Sequence, residues 1–296
     1  MNIELGKVRF IRGESGGKYP FNHSVYLKGD DCRVVIDPSC GFQKMKDLKH
    51  QEGVDQVWLS HWHEDHMAFL YLFENSTLRL SERDFPPLTD MEIFLDWYGI
   101  RDEALRAVWK DVMLKNFNYR PQKKALFFSD DEVIGLGGLR VSVIPTPGHT
   151  PGHLSFYFPD EEALFLGDYD LTTFGPWYGD VFSSIEDTIH SIRLLKSIPA
   201  RRWIASHNTG FFENNPGRLW DDYENVIYQR QEKILNFLQE PKTLEEIVSA
   251  WLIYGKPREP KAFFEFNERA LVVKHLEHLQ SKGAIRFDEN HYRKVS

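Results

Sequence analysis

Along the first half of this chain the hydrophobic positions fall in short runs broken by turn residues, the pattern of β-strands. Residues 8–12, 24–28 and 32–36 are rich in Val, Ile, Phe and Tyr, with Gly29-Asp30-Asp31 as a turn. Residues 54–59 read as a buried strand leading straight into His61. Further strands are expected at 125–128, 132–134, 139–144 and 203–205, and at 154–158 and 163–166 as a hairpin around Pro159-Asp160-Glu161. Helices are expected over 42–50 and 185–197. The second should open with a capping box of Ser183 and Glu186 and close before Pro199. This alternation predicts an α/β protein, with sheets covered outside by helices.

Two stretches depart from the alternation. Helices at 88–97 and 102–116 carry Phe94, Trp97 and Trp109, with Tyr98 between them and Phe117 and Tyr119 just beyond. Such a segment is either an insertion with its own small core or a wall over a site. After Asn215-Pro216, an amphipathic helix is expected over 219–238, and Pro241 marks a boundary. Thr243 and Glu246 form a second capping box for a short helix reaching 253. Leu271, Val272, Leu276 and Leu279 share one side of a helix over 269–281 that Gly283 ends. A hairpin of 284–287 and 291–294 follows. The expected organisation is a large domain over 1–215 with a helical insert at 88–119, a connecting helix over 216–240, and a small winged-helix-like domain over 241–296.

Composition changes this picture little: 42% hydrophobic and 27% charged residues in 296 supply a sizeable core. No run approaches the roughly 18 apolar residues of a membrane span. The opening residues, Met1 to Lys7, carry charge in place of a signal core. A cytoplasmic protein with no membrane partner is therefore expected, and two cysteines, Cys32 and Cys40, agree with a reducing compartment. The net charge is −8. Ten Lys/Arg and eight Asp/Glu in 241–296 make that segment +2 and the remainder −10. That distribution disfavours a nucleic-acid partner without excluding it.

The chemistry is concentrated in Ser60-His61-Trp62-His63-Glu64-Asp65-His66, directly after an apolar strand. Residues two apart on an extended segment point the same way, so His61 and His63 can converge on one ion. A turn beginning at Glu64 would aim Asp65 and His66 at a second ion nearby. Imidazole and carboxylate suit Zn²⁺, and also Fe and Mn. Three later strand ends add donors: His149 in Thr146-Pro147-Gly148-His149-Thr150-Pro151-Gly152-His153, Asp168 after Phe165-Leu166-Gly167, and His207 after Ala205-Ser206. His153 reads as a packing or supporting residue. His23 reads as an ordinary core or surface histidine.

These motifs, in this order, resemble the metallo-β-lactamase superfamily over roughly residues 1–215. The resemblance implies an αββα sandwich with two metal ions, zinc first and iron or manganese as alternatives, at one edge between the sheets. It implies that His61, His63 and His149 hold one metal, that Asp65, His66 and His207 hold the second, and that Asp168 bridges them. Asp37, in Val34-Val35-Ile36-Asp37-Pro38, would orient a ligand histidine. The C-terminal segment resembles the winged-helix extension of some members. The insert at 88–119 and the segment Phe174-Gly175-Pro176-Trp177-Tyr178-Gly179-Asp180 lie outside the general pattern, so substrate choice is not inherited.

The expected activity is hydrolysis of a small ester, lactone or thioester by a metal-activated water, with Asp65 and Asp168 as catalytic residues. Tyr169, Asp170 and Tyr178 read as wall and turn residues. Three rivals stand beside this: a nuclease acting on RNA or DNA, a mono-iron sulfur dioxygenase, and a ligand-binding regulator that uses the winged helix. The −10 charge counts against the first, the metal content separates the second, and the intact donor set counts against the third.

Overall fold

The computed structural model describes residues 2–295. The first sheet holds seven strands in chain order: β1 (Ile3–Leu5), β2 (Val8–Ile11), β3 (Ser24–Lys28), β4 (Arg33–Ile36), β5 (Gln56–Trp58), β6 (Thr77–Leu80) and β7 (Leu126–Phe127). Pairing is antiparallel as far as β4 and parallel from β4 to β7. The second sheet contains β8 (Val133–Gly135), β9 (Arg140–Pro145), β10 (Leu154–Phe158), β11 (Ala163–Phe165), β12 (Arg202–Ile204) and β13 (Phe211–Phe212), in the order β13-β12-β11-β10-β9-β8. Only the β11–β12 pair is parallel there.

Period-two alternation assigns each side chain to a layer. Val25, Leu27, Val34, Ile36 and Trp58 of the first sheet meet Val141, Val143, Phe156, Phe165 and Ile204 of the second between the sheets. Their neighbours Tyr26, Val35 and Val57 point outward under α1 (Phe42–Gln51) and the insert helices. On the far side Leu164 and Trp203 point outward under the later helices. A short α2 (Glu64–Met67) carries two of the candidate donors, Asp65 and His66. The insert comprises α3 (Pro86–Thr89), α4 (Met91–Trp97) and α5 (Glu103–Asn116). The result is the expected α/β layering of helices, sheet, sheet and helices. Each buried Val, Leu, Ile or Phe side chain contributes about 1.5–3 kcal/mol to it.

The covering helices of the second sheet are α6 (Ile185–Ser197), α7 (Arg218–Phe237), α8 (Leu244–Ser249) and α9 (Lys261–Ser281), with the β14 (Ile285–Asp288)–β15 (His291–Lys294) hairpin beyond. Ile192, Ile227, Val248, Leu271 and Ile285 belong to one continuous core with Leu164 and Trp203. The C-terminal elements therefore share the sandwich's own core. No helix among the described residues is long and apolar enough to cross a membrane.

Local details differ from expectation for physical reasons. The N-cap of α6 is Ser184, whose side chain accepts from Asp187 N at 3.2 Å. Ser183 lies one residue before the cap position, and its hydroxyl donates to His149 O at 2.6 Å. The Thr243–Glu246 capping box is present. Helix α8 ends earlier than expected, just before Trp251 takes a φ of 52°. Helix α9 begins eight residues earlier than expected, since Phe263, Phe264 and Phe266 line a cavity and so fall off the core stripe.

Candidate metal centre

Parallel pairing aligns strand ends, and the donors follow those ends. The β4–β5 pairing sets Asp37 beside the motif, with Asp37 N donating to Trp58 O at 2.9 Å. The β11–β12 pairing sets Asp168 beside His207, with Ser206 N donating to Gly167 O at 2.9 Å. The two sheets are tied at this edge by Leu154 N to Ser60 O at 2.8 Å and His23 N to Ser206 O at 2.6 Å. Gly167 has a φ of 61°, and a Cβ there would meet His153 Nε2 at 2.3 Å. Only glycine lets the chain turn so closely over that ring.

All seven expected donors converge, in two groups. In the first, His61 Nε2 lies 3.0 Å from His63 Nδ1 and 3.2 Å from His149 Nε2, and the latter two nitrogens are 3.0 Å apart. Asp168 Oδ2 is 3.9 Å from His61 Nε2 and 3.4 Å from His149 Nε2. In the second, His207 Nε2 lies 3.3 Å from Asp65 Oδ2, and His66 Nε2 lies 3.9 Å from Asp65 Oδ1. Asp168 Oδ1 faces this group, 3.0 Å from His66 Nε2 and 3.4 Å from His207 Nε2. One carboxylate thus turns an oxygen to each group.

The donor set fits metal ions. Three imidazole nitrogens in a triangle cannot all be satisfied by one another, yet their separations approach the edge of about 3.3 Å that Zn–N bonds of about 2.0–2.1 Å give in a tetrahedron. His66 Nε2 and Asp168 Oδ1 are buried and make no hydrogen bond among the described residues, as two ligands of a shared ion would. Charge is distributed unevenly. Burial pushes His61 well below the usual histidine range, and His63 and His149 down to about 4. Burial also opposes charge on His66 and His207, but the neighbouring carboxylates, Asp168 foremost, outweigh it. They hold His66 well above its usual value and His207 at about 9.

The far nitrogens of the rings are all occupied. Asp37 Oδ2 accepts from Ser60 Oγ at 2.6 Å and meets His66 Nδ1 at 2.9 Å, while Ser60 Oγ meets His61 Nδ1 at 2.9 Å. Asp37 therefore reaches two of the candidate donor histidines, one directly and one through a hydroxyl. His207 Nδ1 donates to Gly17 O at 2.8 Å, and His149 Nδ1 donates to Trp177 O at 2.9 Å. His63 Nε2 pairs with Asp180 Oδ2 at 2.8 Å. Such partners fix ring orientation and tautomer. His153 is not a donor to either group: its Nε2 accepts from Asp168 N at 3.1 Å and fixes that backbone. His23 is a neutral core histidine, pushed down to about 4 by burial, whose Nδ1 accepts from Gly13 N at 2.8 Å.

A cavity of about 530 Å³ opens over the donors. The insert contributes Tyr98 and Trp109, the segment after Asp168 contributes Phe174 and Trp177, and α9 contributes Phe263, Phe264 and Phe266. Phe94 and Trp97 of the insert pack instead around Trp62. Nothing in the sequence singles out Glu64 from between the ligands. It is buried beneath the cavity, where Tyr19 donates to it at 2.9 Å and Tyr98 donates to its other oxygen. Lys18 and Arg258 also line the cavity, and neither has a carboxylate partner among the described residues. Of the residues near Asp168, Tyr169 donates to Thr146 O and Pro147 O and Tyr178 lies against His275, both structural placements. Asp170 lines the cavity, pushed up to about 6 by burial.

The family model of the metallo-β-lactamase superfamily matches residues 19–207. A hydroxyacylglutathione hydrolase from Hyphomonas neptunium is 27% identical over 183 residues, 61% of this chain and 59% of its own length. This chain thus spans less than two thirds of that relative. A probable zinc-dependent hydrolase of polyketide biosynthesis from Bacillus velezensis is 28% identical over 215 residues, 69% of this chain and 80% of its own. Among solved structures, a metallo-β-lactamase family protein from Thermus thermophilus superposes with a TM-score of 0.73 at 22% identity, covering 98% of this chain and 99% of that one. Its likeness extends to the C-terminal elements and concerns the fold alone. The matched segment contains six of the seven donors between its ends and closes on the seventh, His207; on that match this chain belongs to the metallo-β-lactamase superfamily.

Proposed function

We propose that the chain is a metal-dependent hydrolase of small esters, lactones or thioesters, with thioesters first. The observation that carries this is the two donor groups joined by Asp168 at the floor of an aromatic cavity. His61, His63 and His149 would hold one divalent ion and Asp65, His66 and His207 the other, with Asp168 between them. When bound, such ions supply a water of lowered pKa and a Lewis acid for the carbonyl. The chain's own residues do the rest. Asp65, at the cavity floor, would orient the attacking water. The walls exclude solvent and seat an apolar acyl group. Lys18 and Arg258, unpaired cations beside that apolar wall, favour an acyl group borne on an anionic carrier.

Thioesters come first because two relatives are named for such substrates, the hydroxyacylglutathione hydrolase and an acyl-carrier-protein thioesterase from Aspergillus fumigatus. No specific observation favours a nuclease. The insert stands on the metal side and, with α9, walls the donors in, which hinders long RNA. The test joins metal analysis of anaerobically purified protein to a panel of thioesters, lactones, esters and bis(p-nitrophenyl) phosphate. Two zinc ions per chain with thioester or lactone turnover support the reading. One iron with oxygen consumption, or phosphodiester cleavage alone, sinks it.

A further inference from the structure

Residues 174–181, which take in the stretch 174–180 that the family motifs leave out, carry the partners of two donors. Trp177 O accepts from His149 Nδ1, and Asp180 Oδ2 pairs with His63 Nε2. The segment has no regular secondary structure that would hold these two groups in place. What holds it is the C-terminal part of the chain. Arg230 on α7 is buried, at 3% exposure. One of its terminal nitrogens donates to Pro176 O at 2.7 Å and Tyr178 Oη at 2.9 Å, and the other donates to Phe174 O at 2.5 Å. From α9, His275 Nε2 meets the same Tyr178 hydroxyl at 2.9 Å, and Lys274 Nζ donates to Val181 O at 2.6 Å.

Two glycines bring the segment against these helices. A Cβ at Gly175 would meet Val226 of α7 at 2.5 Å, and one at Gly179 would meet Trp177 at 2.6 Å and Ala270 of α9 at 3.0 Å. Arg230 has no carboxylate within salt-bridge distance among the described residues; its charge rests on carbonyl dipoles and on the faces of Phe174, at 4.7 Å, and Tyr178, at 5.6 Å. A buried cation with no direct ion-pair partner is an expensive way to fill space. A planar fork is, however, the group that can grip several acceptors of an irregular loop at once.

We propose that Arg230 is a positioning residue for the metal centre: by clamping segment 174–181 from the C-terminal helices, it sets the orientation of His63 and His149. The clamp then serves the ion held by His61, His63 and His149, since the far nitrogens of His66 and His207 are held by Asp37 and Gly17; the contact of α7 with the residue between the groups is a separate one, Tyr223 Oη donating to Asp168 O at 3.3 Å. This rests on reading the seven donors as metal ligands, and it does not depend on which ester is cleaved.

The test compares Arg230→Met with Ile234→Ala, which removes apolar packing from the same buried face of α7 without touching a loop carbonyl. Metal affinity is read by competition with a chromogenic chelator, and ligand geometry by the visible spectrum of the cobalt(II)-substituted protein. In Arg230→Met one of two ions should bind about 10- to 100-fold more weakly with an altered cobalt spectrum, while the second ion is unchanged. Ile234→Ala should lower thermal stability and leave both affinities alone. Arg230→Lys, which keeps the charge but not the fork, should behave as Arg230→Met does, and it decides the matter if the Met variant does not fold. Wild-type affinities and spectrum in a folded Arg230 variant overturn the proposal, and so does equal metal loss in Ile234→Ala. A wild-type protein that binds no metal defeats the ligand reading itself, and the clamp with it, whatever substrate is later found.

Discussion

At the residue scale the decisive group is Asp168, whose two oxygens face different donor groups 3.0–3.9 Å away. Removing it withdraws a negative charge shared by both sites. Asp168→Ala should lose one ion by metal analysis and reduce kcat by more than about 100-fold; two ions with near-normal turnover would defeat the bridging role proposed for it. His153→Ala should keep both ions, because that ring packs beside His61 and His149 but its hydrogen bonds go only to Asp168 N and Thr146 Oγ1. A pH effect belongs to Asp84. Its buried carboxylate accepts from Thr150 Oγ1 and Gly152 N, each at 2.6 Å, and so pins the loop that carries His149. Burial pushes it up to about 7. The folded state therefore favours the protonated form, and the stability this gives is fully present below the unfolded value near 4 and is lost as pH rises through 7. Asp84→Asn keeps the shape and one acceptor but cannot ionise. Relative to wild type the variant should gain about 1.4 kcal/mol between pH 6 and pH 8, read as the gap in denaturation midpoints. A gap independent of pH would show that Asp84 does not titrate there.

At the scale of elements, the insert divides its aromatic residues between two tasks. Phe94 is fully buried in the core over the first sheet, whereas Trp109 stands in the cavity wall with its ring tilted against Phe266 at 5.9 Å. Trp109→Ala should therefore raise KM for acyl substrates severalfold with metal content and kcat little changed. An unchanged KM would remove the insert from the substrate site. The strands behave differently, because their inner faces carry no chemistry. Phe156 packs between the sheets against Trp58 and Phe128. Phe156→Ala should cost about 3–5 kcal/mol of stability, measurable by denaturant unfolding of the metal-loaded protein, while the metal stoichiometry of the folded fraction stays the same.

At the scale of the whole molecule, the centre joins parts of the chain distant in sequence: a motif at 61–66, a loop at 149, two strand ends, and the C-terminal helices that surround and brace them. Metal should therefore act as a staple across both sheets. With free ion a thousandfold above its Kd, each site should add on the order of 4 kcal/mol, and stripping by chelator should lower Tm by about 10 °C or more. A Tm indifferent to chelation would mean that the donors are assembled without help from the ions. Much of this was legible in the chain itself. Period-two alternation at Val25-Tyr26-Leu27 and Val34-Val35-Ile36 specifies which faces are buried, and the strand before His61 and the spacing of His61, His63, Asp65 and His66 specify donors that converge locally. Those are short-range properties, set by backbone geometry over a few residues. Long-range contacts decided the rest. Glu64 looks like a spacer until Tyr19 and Tyr98 close on it, Phe263 breaks the helical stripe until a cavity explains it, and Arg230 reads as an ordinary helix residue until a loop more than fifty positions away presents its carbonyls. No local pattern encodes such partners, because they are chosen by how helices dock across a sheet edge, and only the folded chain brings them within hydrogen-bonding reach.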